Sequence, residues 1–280
     1  MHPRNRYAPK HDFQDLLRRE PALGPFLITT PGGKTSLDFS ARPALLLLNR
    51  TLLRRDYRLS FWDLPEGHLV PPIPGRLDYV HTLADLIGRE AQVLDVGTGA
   101  SLIYPILGVS EYEWRFVASD IDPRSVKVAT AIATMNDRLR GRIEVRRQPD
   151  AEAIFRNVIR PGETFTATMC NPPFFASRAE AEQAGNKKWK KLGRDASGLS
   201  FGGSDRELWT PGGELQFLRR MIRESREYAD RIGWFTTLVS KRGYLTAAEA
   251  ALGRAGAREH RVLTLEQGNK KSRILAWRYA

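Results

Sequence analysis

One cysteine, Cys170, stands in 280 residues. An internal disulfide and a cysteine-built zinc site are therefore both excluded. Long apolar runs are missing as well. The longest aliphatic stretch, Ala44 to Leu48, falls far short of the roughly 18 to 20 residues that cross a bilayer, and the mean hydropathy is −0.41. The first residues, Met1-His2-Pro3-Arg4-Asn5-Arg6, carry charge with no apolar stretch behind it, so no secretory leader is expected and the protein is read as cytoplasmic. His68 and His81 have no partners at metal-ligand spacing, and both are read as structural. No Gly-Lys-Ser/Thr follows a glycine turn, which excludes a nucleotide P-loop.

Negative charge is also in deficit. Lysine and arginine number 44 against 32 acids, a formal net charge of +12. Such a surplus suits an anionic partner, above all nucleic acid, because each neutralised phosphate releases counterions without needing a particular base. From Gln92 onward, short runs rich in Val, Ile and Phe alternate with stretches of helical period. Strands are expected at residues 93–96, 115–120, 142–147, 166–170 and 234–239. Helices are expected at 123–136, 214–231 and 247–255, and an antiparallel pair at 261–265 and 274–279 closes the chain. The expected fold is a mostly parallel α/β sheet with right-handed crossovers and an antiparallel edge. Residues 1–75 are richer in proline and glycine, with short helices near 12–19 and 42–54, and read as a small appended module before a main domain at 76–280. Within that domain, residues 184–210 read as a basic mobile loop.

Val96-Gly97-Thr98-Gly99 ends the first of these strands and precedes a helix, the position where backbone N–H groups and a helix start meet a ligand. A dinucleotide fingerprint wants glycine at position 102, where this chain has Leu102, so a pyrophosphate is disfavoured. Asp120 closes the next strand, where a carboxylate can take both hydroxyls of a ribose. A nucleoside without phosphates fits this pair, S-adenosylmethionine being one. An ordinary strand-to-helix turn with a surface acid fits it too.

Asn171-Pro172-Pro173-Phe174 is more specific. It follows a strand directly, so it belongs at the same carboxyl edge as Gly97 and Asp120. The prolines remove two donors and stiffen the chain, leaving the Pro172 carbonyl as a fixed acceptor. The exocyclic amine of adenine is a weak nucleophile because its lone pair is spread into the ring. An asparagine oxygen and a neighbouring carbonyl can hold its two hydrogens and favour the pyramidal form, with Phe174 as a stacking face for an extruded base.

These residues carry a resemblance. Leu94 to Pro105, Cys170 to Phe175 and Gly212-Gly213-Glu214-Leu215-Gln216-Phe217 resemble class I, Rossmann-like adenine-N6 RNA methyltransferases. The bacterial RlmF-type family, which acts on large-subunit (23S) ribosomal RNA, is the most similar, and the eukaryotic enzyme acting on U6 small nuclear RNA is related. His11-Asp12-Phe13, Ser36 to Phe39, Trp62 to Gly67, Pro71 to Tyr79, Phe201-Gly202-Gly203 and Glu207-Leu208-Trp209 extend the likeness over nearly the whole chain. The resemblance implies a seven-stranded sheet and S-adenosylmethionine as cofactor. It implies Arg76 on the cofactor carboxylate, Asp95, Gly97, Thr98, Gly99 and Ser101 around the cofactor, Asp120 on its ribose, and Asn171 bordering it. Asn171, Pro172, Pro173 and Phe174 become the catalytic turn, and Phe174 and Phe175 lie toward the base.

Lys187, Lys188, Lys190 and Lys191 around Trp189 are candidates for RNA backbone contact and stacking, or a solvated charge run. Arg4, Arg6 and Lys10 are candidates to extend an RNA groove, and Asn269, Lys270, Lys271 and Arg273 either face RNA or charge an exposed turn. Cys170 reads as a small buried residue. The expected partner is 23S ribosomal RNA or a subunit assembly intermediate, bound by a monomer. Methylation of another structured RNA, or of a protein glutamine through the same turn, remains open, as does an RNA-binding protein on an inactive methyltransferase fold.

Overall fold

Alternation of apolar strands with amphipathic helices places the functional turns at one edge of a sheet. A computed structural model describes residues 1–8, 11–30, 32–177, 179–180, 183, 209–267 and 270–280. The strands are β1 (Leu27–Thr29), β2 (Thr35–Leu37), β3 (Gln92–Val96), β4 (Arg115–Asp120), β5 (Ile143–Arg147), β6 (Phe165–Cys170), β7 (Ile232–Val239), β8 (Glu259–Gln267) and β9 (Lys270–Arg278). The helices are α1 (Phe13–Arg19), α2 (Arg42–Tyr57), α3 (Ile73–Ile87), α4 (Ile103–Tyr112), α5 (Pro123–Met135), α6 (Gly213–Ser225) and α7 (Gly243–Ala255). β1 and β2 form their own antiparallel pair, and the other strands make a seven-stranded sheet in the order β5-β4-β3-β6-β7-β9-β8. Strands β5 to β7 through the centre run parallel, while β9 pairs antiparallel with both β7 and β8. The order reverses between β3 and β6, the crevice where open α/β sheets bind ligands.

Both faces of the sheet are covered. One apolar cluster includes Val93, Phe116, Ala167 and Met169 from the strands with Leu77, Val80, Ile106 and Ile132 from helices; the other joins Leu94, Val117 and Phe235 to Leu218, Met221 and Leu252. The first cluster continues without a break into the amino-terminal part of the chain through Leu16, Leu48, Leu52 and Trp62. The boundary expected after residue 75 falls inside α3. Side-chain amides fasten the junction: Asn49 Nδ2 donates to Pro71 O at 2.8 Å, and Asn136 Oδ1 accepts from Ser60 N at 2.8 Å and Phe61 N at 3.1 Å.

Two expected elements end elsewhere. The helix expected to reach Arg231 stops at Ser225 and tightens into a 3₁₀ turn, Arg226–Tyr228. Ser225 is fully buried, and its hydroxyl is engaged by Ile222 O, Tyr279 OH and Trp277 Nε1 from the last strand and the residue beyond it, so tertiary contacts override the helical pattern. On α5, Ser125 is buried and capped by Asp122, while Val126 is half-buried. Among the described residues no helix is long and apolar enough to cross a membrane.

Candidate active site

β3, β4 and β6 deliver their carboxyl ends to one cavity of about 440 Å³. Gly97, Thr98, Gly99 and Ser101 from the turn after β3 line it, with Asp120 at the end of β4, Asn171 and Pro173 after β6, and Arg76 from the first turn of α3. Asp95 lies behind this lining and is fully buried. Pro172, Phe174 and Phe175 are not among the lining residues; Pro172 is buried, and Phe174 and Phe175 are half-buried. Lys187, Lys188, Trp189, Lys190 and Lys191 lie outside the described residues, as do Lys10 and Asn269.

The glycine turn works differently from its sequence reading. Gly97 and Gly99 have φ of +73° and +62°, the left-handed region that glycine enters without strain. Their N–H groups are already used: Gly97 N and Thr98 N both donate to Ser119 O at 2.9 Å, and Gly99 N donates to Asp120 Oδ2 at 2.8 Å. No atom lies within 4 Å of where a Cβ on Gly97 would stand, so this residue contributes room instead of a donor. Leu102, whose side chain argued against a glycine fingerprint, nonetheless adopts φ +52° and ψ +28°. That conformation costs a non-glycine residue about 1–2 kcal/mol. Complete burial of Leu102 and the Trp62 Nε1 bond to Ser101 O at 3.0 Å hold it there.

Asp120 is fixed by two backbone donors, Gly99 N on Oδ2 and Asp122 N on Oδ1, at 2.8 and 2.9 Å. Asp95 has no such bonds: neither oxygen has a hydrogen-bond partner among the described residues, and Thr98 Oγ1 is likewise buried and unpartnered. Burial pushes the Asp95 carboxyl up to about 7, the charge of Asp120 adds to the rise, and the polar Thr98 side chain and the Arg76 cation work against it. Arg76 Nη1 donates to Tyr104 OH at 3.0 Å and to Asn171 Oδ1 at 2.9 Å, and the guanidinium lies 5.5 Å from the centre of the Tyr104 ring. The residue expected on the cofactor carboxylate is thus bonded directly to the asparagine of the Asn171 to Phe174 turn.

β6 is positioned to present Asn171 by hydroxyl groups that stand in for part of the strand ladder. Regular pairing with β7 covers Phe165 with Ile232 and Ala167 with Trp234. Beyond it, Thr236 N donates to Thr168 Oγ1 at 2.9 Å, Thr236 Oγ1 bonds Tyr79 OH at 2.8 Å, and Tyr79 OH accepts from Cys170 N at 3.4 Å. Cys170 is buried, and that burial raises its thiol well above the usual range, which suits a packing role.

Sequence reasoning missed the opposite wall: Gln148, the segment from Ala151 to Ile154, Trp209, Thr210, Phe217 and Arg220. Arg220 Nη1 donates to Ala151 O at 2.8 Å, and its Nη2 lies 3.0 Å from Glu152 Oε2, so α6 is tied to the irregular segment after β5. Only a link between that segment and the polar side of α6 could have revealed it, and neither sequence stretch carries that signal alone.

A family model described as RNA methyltransferase matches residues 1–280. The chain is 47% identical to ribosomal RNA large subunit methyltransferase F of Aeromonas salmonicida (strain A449), covering 100% of this chain and 91% of the relative. It is 44% identical to the protein of the same name from Pseudoalteromonas translucida (strain TAC 125), covering 100% and 93%. Among solved structures it is similar to the human METTL16 catalytic domain in complex with MAT2A 3'UTR hairpin 1, with a TM-score of 0.88, 32% identity and coverage of 100% and 96%. The N-terminal domain of human METTL16 in complex with SAH matches with a TM-score of 0.81, 28% identity and coverage of 100% and 99%.

Proposed function

The chain belongs to the RNA methyltransferase family, and on that premise we propose that it moves a methyl group from S-adenosylmethionine to the N6 amine of one adenine in large-subunit (23S) ribosomal RNA. The observation that carries this reading is the shared cavity: Asn171 borders the same space as Gly97, Gly99 and Asp120, with Arg76 bonded to its amide. The polar groups around that space fit the proposed cofactor. Among the described residues the hydrogen-bond partners of Arg76 are neutral, so its charge remains for a carboxylate. Asp95, buried without hydrogen-bond partners, gives an ammonium a counter-charge, and Asp120 brings a carboxylate to the cavity at the end of β4, where a ribose would lie.

When bound, the cofactor supplies an electrophilic methyl on a sulfonium. The protein's task is to orient the amine. Asn171 Oδ1 has two lone pairs; Arg76 occupies one and fixes which way the amide faces, and the other receives an N6 hydrogen. The Pro172 carbonyl takes the second hydrogen, and Phe174 stacks on the base. The amine nitrogen forms the new bond as the methyl–sulfur bond breaks, and its proton leaves to solvent after transfer, so no strong base is needed. The net charge of +12 serves the RNA backbone, with the basic stretch at Lys187 to Lys191 as a candidate contact and the amino-terminal module bordering the groove. We assign the protein to the cytoplasm, as a monomer.

Incubation with methyl-labelled cofactor and unmodified large-subunit RNA is expected to place label on the N6 of a single adenine, read by nuclease digestion and mass spectrometry. Asn171→Ala is expected to lower the rate by about 10²- to 10³-fold, the scale for losing a hydrogen-bonding group that acts on the reacting atoms. Label on a protein glutamine, or an unchanged rate in Asn171→Ala, overturns the reading.

A further inference from the structure

Glu214 is a buried acid with no part in the transfer described above. It sits in the first turn of α6, is 1% exposed, and is absent from the cavity lining. Its Oε1 accepts from Ser240 N at 2.6 Å, and its Oε2 accepts from the Ser240 hydroxyl. Ser240 directly follows β7, so one carboxylate joins the start of α6 to the carboxyl edge of the sheet. Burial raises the Glu214 carboxyl, and the bonds from Ser240 oppose that rise.

The start of α6 in turn presses on the chain that leaves the catalytic turn. Gly213 has φ +67°, and a Cβ there would stand 3.3 Å from Ala176 N, so the two backbones approach more closely than most side chains allow. Thr210 N donates to Phe175 O at 3.0 Å, Gly213 N donates to Thr210 O at 2.8 Å, and Phe175 pairs with Trp209 in a single parallel bridge. The chain therefore departs after Asn171 to Phe175 and returns at Trp209 to the same point. Trp209 and Thr210 line the cavity beside Asn171 and Pro173.

We propose that Glu214 is a positioning residue for methyl transfer: by clamping the first turn of α6 to Ser240 it fixes Trp209 to Gly213 against Phe175 and Ala176, and so holds the Asn171 to Phe174 turn in register with the cavity. It touches no reacting group. The proposal rests on the reading that Asn171 holds the acceptor amine. The cofactor side of the cavity is built from β3, β4 and α3, which this clamp does not touch.

The test uses the full chain with labelled cofactor and unmodified large-subunit RNA, together with calorimetric titration of S-adenosylhomocysteine. Glu214→Ala is expected to lower kcat by about 100-fold, the cost of a misplacement near 1 Å, while affinity for S-adenosylhomocysteine stays within about threefold. Glu214→Gln, which keeps an acceptor for Ser240 N, is expected to recover kcat to within about fivefold of wild type. If Glu214→Ala does not fold, Gly213→Ala disturbs the same contact with the clamp intact and is expected to show the same split between kcat and affinity. A folded Glu214→Ala with kcat within threefold of wild type, a parallel loss of affinity, or a Gln variant no better than Ala overturns the proposal. A wild-type protein that binds S-adenosylhomocysteine yet methylates no RNA overturns the reading of the reaction, and this proposal with it.

Discussion

The first turn of α3 and the rest of that helix treat polar groups in opposite ways. At its amino end, beside the strand carboxyl edge, Arg76 bonds neutral groups and Asp95 nearby is buried without hydrogen-bond partners. From Asp78, two residues past Arg76 and on the other side of the helix, to Asp85 in its last turn, the amino-terminal segment closes its charges on itself. Asp78 accepts from Asn5 Nδ2 at 2.6 Å and His2 N at 2.8 Å, Arg4 pairs with Asp85 at 2.6 Å, and Arg6 pairs with Glu111 at 2.9 Å. The unpartnered atoms near that end, His81 Nε2, Ser110 Oγ and Trp114 Nε1, belong to side chains neutral at pH 7, since burial lowers His81 to about 4. Burying a charge-capable group without partners costs several kcal/mol, so a fold keeps one only where something else repays it. The open end is organised for a ligand, and the closed end for stability.

The largest effect expected from breaking this contrast is at Arg76. Arg76→Met should weaken S-adenosylhomocysteine binding by at least about 30-fold, as for one lost partner of a buried charge pair, and leave the unfolding free energy within about 1 kcal/mol. Calorimetry and urea denaturation measure the two. Asp95 comes next, and its sign follows from its carboxyl standing at about 7 in the fold against the ordinary aspartate range when unfolded. Between those values the folded protein holds a proton that the unfolded chain has lost. Ionisation of Asp95 therefore adds no cost below pH 4, adds more as pH rises, and reaches its full penalty above 7. Asp95→Asn should stabilise the protein at pH 8 by on the order of 3 kcal/mol, have little effect at pH 4, and weaken cofactor binding. On the closed side, Asp78→Ala should cost about 1–3 kcal/mol by stranding one N–H of the buried Asn5 amide, whose other bond, to Pro74 O, remains, with cofactor affinity unchanged.

The place of the Asn171 to Phe174 turn was legible because it is set locally: a preceding strand is enough to put it at the carboxyl edge, where Asn171 and Pro173 border the cavity. The glycine turn and Asp120 were legible for the same reason, and the core strands showed as apolar runs whose boundaries shifted by at most a few residues. What the sequence hid depends on distant partners. Arg220 reads as part of a charged helix face until Ala151 and Glu152 are brought against it. Glu214 reads as an ordinary acid in a first helical turn, where it also suits the helix dipole, until Ser240 arrives from β7. Leu102 read only as a departure from a dinucleotide fingerprint, yet it takes the left-handed conformation that glycine favours.

Arg4 and Arg6 give the smallest expected effect. Read from sequence they could extend an RNA groove, but both are paired with carboxylates at the carboxyl ends of α3 and α4, while the cavity lies at the amino ends. Asp85 is nine residues beyond Arg76, about 13 Å along the helix. A cation already neutralised by a carboxylate releases few counterions when RNA approaches, so it adds little to salt-dependent binding. Arg4→Gln together with Arg6→Gln should change RNA affinity by less than about twofold at 0.1 M salt and leave the slope of log affinity against log salt unchanged, whereas two direct phosphate contacts would lower that slope by nearly 2. Stability should fall by less than about 1 kcal/mol for each, because both pairs are partly exposed. A slope reduced by 2 would carry the RNA path onto the amino edge and remove the division between an end built for ligand and an end built for stability.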